Sequence, residues 1–282
     1  MMPMPAVSFG KAGSITAPVA TDDYWDNVAF LMYGEGADGA TTFYDRSKYA
    51  RAVTRFGAAQ MDTDIPVKTS PSMLFGADAN YLTRAYGPEL NIGVGSPDFC
   101  MEAYVYCTDV SQHNQIFGRR RNSDNYIMSI LGNTIDFRTF SGTTATVKLS
   151  VAAGMSNNTV HHVCVIRVGT TYYGFVDGVL KGSNTSSAGQ GIDTTGMVIA
   201  NSETDQPARY WYGNLNWLRI TMGVPRYALT GFTPPSTPLV LFAPRLGSLP
   251  LRPLSRMSHC CSGSTELTEM SPRPTRVATL GR

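Results

Sequence analysis

Charge is scarce in this chain. Asp, Glu, Lys and Arg make up 16% of its 282 residues and leave a formal net charge of +2. That is below the usual quarter and too small to argue for a nucleic-acid partner. The imbalance that exists sits at one end: residues 243–282 hold six Arg and two Glu, so the rest carries −2. Cysteine is scarce too, five residues and an odd number. Cys100 and Cys107 are seven residues apart on one strand-like run. They would lie about 23 Å apart on opposite faces, which excludes a bond between them. The cysteines are expected to be reduced, buried and apolar in behaviour. No run approaches the ~20 apolar residues of a membrane span. Pro3, Pro5, Gly10 and Gly13 interrupt the N-terminus, whose first basic residue is Lys11, so it does not read as a secretory leader. The reading is therefore cytoplasmic synthesis with no membrane partner. Also missing is any long stretch with apolar residues every three to four positions, which argues against helical bundles and against the crossover helices of parallel sheets.

What the chain has in quantity is Phe, Tyr, Thr, Ser and Gly, a composition suited to strands and turns. The clearest pattern lies at residues 158–183. Val160, His162, Cys164, Ile166 and Val168 share one face; Thr171, Tyr173 and Phe175 continue the alternation after Gly169. Asp177-Gly178 is a type I′ hairpin signal, because both central residues of that turn need positive φ. Upstream, Phe99, Met101, Ala103, Val105 and Cys107 alternate with Glu102, Tyr104 and Tyr106. Further short strands are expected at residues 28–33, 41–45, 52–56, 72–75, 80–82, 115–118, 126–130, 134–137, 145–149, 196–200 and 210–220. More than ten short strands at near-regular spacing predict an all-β fold, an antiparallel two-sheet jelly-roll sandwich.

Three segments follow. Residues 1–21 read as an irregular arm and residues 22–240 as the jelly-roll domain. Residues 241–282 read as a Pro-, Ser- and Arg-rich tail. No aromatic residue follows Phe242, and such a tail gains order only on a partner.

The run His161-His162-Val163, followed by Arg167, Asp177-Gly178 and Gly182, resembles a signature of laminin-G-like, concanavalin-type jelly rolls. Val160 stands where that family usually has Trp. Residues 26–39, 43–47, 99–106, 115–119, 211–227 and 232–235 resemble further strands of the same group, in the form frequent in bacteriophage proteins. The resemblance spans about residues 22–240. It implies a concave sheet, clustered rim loops, and binding of glycans or proteins, with Ca²⁺ at rim loops in some members.

Several residue sets invite chemistry, each with a plainer alternative. Gly34-x-Gly36-x-x-Gly39 matches the dinucleotide fingerprint, but Thr41-Thr42-Phe43 follows where a helix must start, so a turn is expected. Glu102 sits mid-strand, where glycosidases of this fold carry acids. A retaining mechanism needs a second carboxyl about 5–5.5 Å away. Its own strand offers Cys100, Tyr104 and Tyr106 instead, leaving a cross-strand Asp136 as the remaining partner. His161 and His162 point to opposite faces and cannot share a metal. Asp62, Asp64 and Asp205 are weak candidates for Ca²⁺, the alternative being solvated loop acids. Arg119, Arg120 and Arg121 end a strand and are weak candidates for gripping an anionic ligand. Tyr210 and Tyr212 are weak candidates for stacking on sugars. Trp211 and Trp217 share a parity and are expected to enter the core together.

A fold that usually works outside cells, in a chain without an export signal, fits a phage particle. The functional expectation is a non-catalytic virion surface protein, a capsid decoration or tail-associated subunit present in multiple copies or as a homo-oligomer. Its partners would be other virion proteins and host-surface glycans. The alternatives are a free lectin or glycoside hydrolase of the same fold, and an intracellular scaffold module.

Overall fold

The structure, a computed structural model, describes residues 22–76, 79–93, 97–119, 125–142, 144–187, 196–201 and 209–236. All of these belong to one compact unit, Met1–Ala243; the predicted arm and the whole of the predicted tail lie outside the described residues. The strands, in chain order, begin with β1 (Val28–Met32), β2 (Val53–Phe56), β3 (Gln60–Asp62), β4 (Ser72–Leu74) and β5 (Tyr81–Arg84). Next come β6 (Phe99–Cys107), β7 (His113–Arg119), β8 (Asn125–Leu131), β9 (Thr134–Ser141) and β10 (Thr144–Ala152). The last are β11 (Val160–Val168), β12 (Thr171–Val176), β13 (Val179–Thr185), β14 (Met197–Ile199) and β15 (Gly213–Met222). The only helical turns among the described residues are short 3₁₀ segments at Trp25–Asn27 and Pro88–Leu90.

Two antiparallel sheets result, as the strand spacing predicts. Sheet one runs β13-β12-β11-β6-β15-β4-β3, with β1 also on β15; sheet two runs β10-β9-β8-β7-β14-β5-β2. The central meander β11-β12-β13 forms as read, and its second turn has φ of 52° at Asp177 and 77° at Gly178. The core lies between the sheets. Phe99, Met101, Ala103, Val105 and Cys107 of β6 enter it from one side, and Ile116, Tyr126, Met128, Ile135 and Phe137 from the other. Phe137 of sheet two lies 5.4 Å from Phe99 and 5.7 Å from Tyr172 of sheet one, ring centre to ring centre. Burying aromatic surface of this kind is the main drive for closing the sandwich.

Two expectations are corrected here. Residues 41–45 form no strand. The Asp45 carboxylate does the work of a ladder instead, accepting the backbone N–H groups of Ser47 and Arg51 at 3.0 and 3.3 Å and the Arg84 guanidinium at 2.9 Å. The tryptophans do not share a layer. Trp211 joins the main core, whereas Trp217 packs with Tyr104 and Val67 on the outer face of sheet one. A register shift between Asn216 and Arg219 and a φ of 47° at Trp217 insert an extra residue and reverse the parity.

The second sheet-to-sheet tie is ionic. Arg84 leaves β5 toward the core and meets Asp45, Glu89 and the Ala29 carbonyl of β1. A buried guanidinium needs all of these partners, since desolvation is costly.

Candidate functional site

The outer face of sheet one is covered by its own chain. Cys100, Glu102, Tyr104 and Tyr106 alternate with the core residues of β6 and so point away from the core. Residues 223–236 form a strap over Cys100, Glu102 and Tyr104. Tyr227 and Phe232 stack on each other with centres 4.0 Å apart, and Phe232 also meets Phe175 and His162. Gly178 makes room for the strap: it accepts the Phe232 N–H at 3.0 Å, and a β-carbon there would lie 1.8 Å from the Phe232 carbonyl oxygen.

Beneath the strap Glu102 is 1% exposed. It accepts hydrogen bonds from Arg219 Nε at 2.6 Å and Tyr227 OH at 2.8 Å, and bonds His162 Nε2 at 2.9 Å. Burial by itself would raise the Glu102 carboxyl, but the Arg219 charge and the His162 bond outweigh it and hold the pKa well below the usual carboxylate range. Burial likewise pushes the Tyr227 hydroxyl up, with the Glu102 charge adding to it. Arg219 and Arg226 both bond Asp22, which ties the first described residue to the same network. His161 takes the other direction, its Nδ1 lying 2.7 Å from Asp177. The histidine pair therefore splits as expected, and each ring is fixed by a carboxylate. Asp136 does not partner Glu102: it lies on β9 of sheet two, two faces away.

Sheet two presents the other outer face. Its register aligns one residue from every strand in a transverse row: Thr54, Thr83, Val198, Gly118, Ile127, Arg138 and Val147. The row is buried in its middle, where Ile127 is 2% exposed. At its β2–β5–β14 end it opens into a cleft of about 320 Å³ lined by Ala52, Thr54, Thr83, Ala85, Tyr86 and Val198, among others. Beside the cleft Phe56 and Tyr81, directly opposed on β2 and β5, stack flat with centres 4.5 Å apart. No sequence pattern pointed to these residues. They become neighbours only through the pairing of two strands almost thirty positions apart.

Beyond the buried middle lies a polar group. Arg138 forks onto Asp136 at 2.5 and 3.2 Å, and His113 Nε2 lies 3.3 Å from Ser129 Oγ. Burial, followed by the charges of Arg209 and Arg138, lowers the His113 pKa to about 4. The imidazole is thus neutral at neutral pH. The Asp136 carboxylate is committed to Arg138.

The remaining predicted residues are dispersed. Asp62 is buried, accepting Asn214 Nδ2 at 2.7 Å and the Asp64 N–H at 2.8 Å, while Asp64 is exposed. Asp205 lies outside the described residues. Among the described residues no three His, Cys, Asp or Glu side chains gather as a metal site. Arg119 ends β7 as read, with Arg120 and Arg121 outside the described residues. Tyr210 and Tyr212 are half-buried on the connection into β15, where the Tyr212 N–H donates to Asn114. Cys100, Cys107 and Cys164 are all free and buried, with Cys100 Sγ 3.5 Å from Cys164 Sγ.

A family model described as the concanavalin A-like lectin/glucanases superfamily matches residues 77–224. No curated protein matches the chain. Among solved structures, the binding domain of Paraclostridial Mosquitocidal Protein 1 superimposes with a TM-score of 0.55 at 11% identity, over 72% of this chain and 51% of that one. The binding domain of botulinum neurotoxin serotype D gives 0.55 at 11% identity, over 71% and 49%. The receptor binding domain of the botulinum neurotoxin C/D mosaic serotype gives 0.55 at 10% identity, over 70% and 48%. The chain spans about half the length of these structures, and at such identities the likeness is one of fold.

Proposed function

The chain belongs to the concanavalin A-like lectin/glucanase superfamily, and from that premise we propose that it is a non-catalytic binding domain for surface glycans. The observation that carries this reading is the outer face of sheet two, where an open cleft meets a stacked aromatic pair of which Phe56 is exposed. Aromatic faces beside hydroxyl groups suit sugars, which offer C–H faces and hydroxyl edges. The likeness in fold to solved binding domains, one of them a receptor binding domain, supports a binding role over a catalytic one. So does Glu102, whose carboxylate is spent on Arg219, His162 and Tyr227 under the strap. For the setting we propose a phage virion, with the domain displayed in several copies as a decoration or tail-associated subunit. That rests on the resemblance of the motifs to bacteriophage members of the group.

A glycan array probed with the full chain tests the binding role, and a polysaccharide turnover assay tests the absence of catalysis. Bound glycans without bond cleavage are expected. Cleavage abolished by Glu102→Gln or Asp136→Asn in a variant that still folds would favour the glycoside hydrolase alternative. Mass spectrometry of purified particles tests the virion setting.

A further inference from the structure

Resting on the glycan-binding reading, we infer that the cleft between β2, β5 and β14 takes the terminal residue of an uncharged glycan chain. Three observations combine. The first is chemical. The side chains that β2, β5 and their flanking residues turn to this face are Ala52, Thr54 and Phe56 against Tyr81, Thr83 and Ala85. None is charged. Arg84 also lines the cleft, but its guanidinium turns toward the core and is consumed by Asp45 and Glu89. Arg138, on the same outer face, is four strands from β5 in the sheet order and held by Asp136. At the usual strand spacing that is about 19 Å away. Among the described residues, a sialic acid, uronic acid or sulfate placed in the cleft would find no free counter-charge.

The second is the platform. Phe56 is 39% exposed although it is stacked on Tyr81. One ring face is covered by the neighbour, so the exposed surface includes the other, a flat apolar area of the size of a pyranose C–H face. Thr54 and Thr83, directly opposed, set two hydroxyls on the cleft floor, each able to donate one hydrogen bond and accept others.

The third is shape. About 320 Å³ is at the small end of ligand sites and admits a ring or two. The transverse row is closed inward of Val198, where Gly118 and Ile127 are buried. A chain lying along the row cannot continue past Val198. It must enter from the β2 edge, end first.

The test uses the full chain and a glycan panel containing neutral oligosaccharides, sialylated or sulfated counterparts, and neutral chains whose terminal residue is capped. Binding to uncapped neutral chains is expected, with Phe56→Ala and Thr83→Val each weakening it about three- to tenfold and circular dichroism unchanged. Phe56 lies on an edge strand and Thr83→Val conserves shape, so at least one variant will fold. Glycan binding that survives both substitutions overturns the cleft while leaving the glycan-binding reading intact. A preference for charged or capped chains overturns the terminal, uncharged ligand. Phe56→Ala converting a dimer to monomers without touching glycan binding assigns the platform to a second copy of the chain and overturns the inference. Absence of binding to any glycan overturns the broader reading itself.

Discussion

Glu102 shows how one side chain on the wrong face of a strand can be made safe. A carboxylate at 1% exposure costs far more than a hydrogen bond unless each oxygen is met, and here Arg219, His162 and Tyr227 meet both. Glu102→Gln keeps the shape but leaves Arg219 buried with Asp22 as its remaining carboxylate. Removing one member of a buried pair typically costs 3–5 kcal/mol, so a loss of about 3 kcal/mol in a urea titration is expected. A loss below about 1 kcal/mol would mean the network is more solvated than its geometry implies. His113 carries a separate, pH-dependent contribution. Its folded pKa is lowered to about 4 from 6.5, so the unfolded chain takes up the proton first as pH falls. The stabilising contribution is whole above about pH 6.5 and drains away down to about pH 4. His113→Gln should flatten the stability profile across that window. Below it, the lowered carboxyls of Glu102, Glu89 and Asp22 contribute stability that is full above their ordinary values near pH 4 and is lost on further acidification. That lower limb should survive the substitution.

At the scale of elements, the strap docks closely against one glycine. Gly178→Ala would place a β-carbon against the Phe232 carbonyl and strain a φ of 77°. A cost of about 1–3 kcal/mol is expected, and the strap should loosen before the sheets do. Trypsin cleavage after Arg226 is the readout. Wild-type cleavage rates in the variant would show that the strap is held elsewhere. How far these elements can be read from sequence depends on how local their causes are. The meander was legible because alternation and the Asp177-Gly178 turn are short-range signals. β6 was legible for the same reason. The outward turn of Trp217 was not, because its bulge is set by Asn216, whose amide bonds Val67, Thr69 and Pro71 almost 150 positions upstream. Residues 41–45 looked like a strand by composition, yet one carboxylate, Asp45, replaced the ladder. The cleft was hidden for a related reason. Thr54, Phe56, Tyr81 and Thr83 carry no motif, and only the β2–β5 register makes them a surface.

At the scale of the molecule, the two outer faces have opposite characters. Sheet one is sealed by the strap and by Asp22; sheet two holds the cleft. The first described residue and the penultimate one are thus fastened on one side, Asp22 through Arg219 and Arg226, and Pro235 through the Tyr104 hydroxyl at 2.6 Å. The mechanical consequence follows from β1 and β15, where Val28 stands opposite Thr221 with the chains running antiparallel. A pull applied between residues 22 and 236 would load this pair in unzipping geometry, one bond at a time, and only after the side-chain fastenings had slipped. Optical-tweezer traces between those positions should show a short, low-force lengthening as the strap peels, then a larger rip as the sandwich opens. A single abrupt event would mean that strap and sandwich yield together. The fastened face would give first, and the sheet that holds the cleft would stay whole while it does.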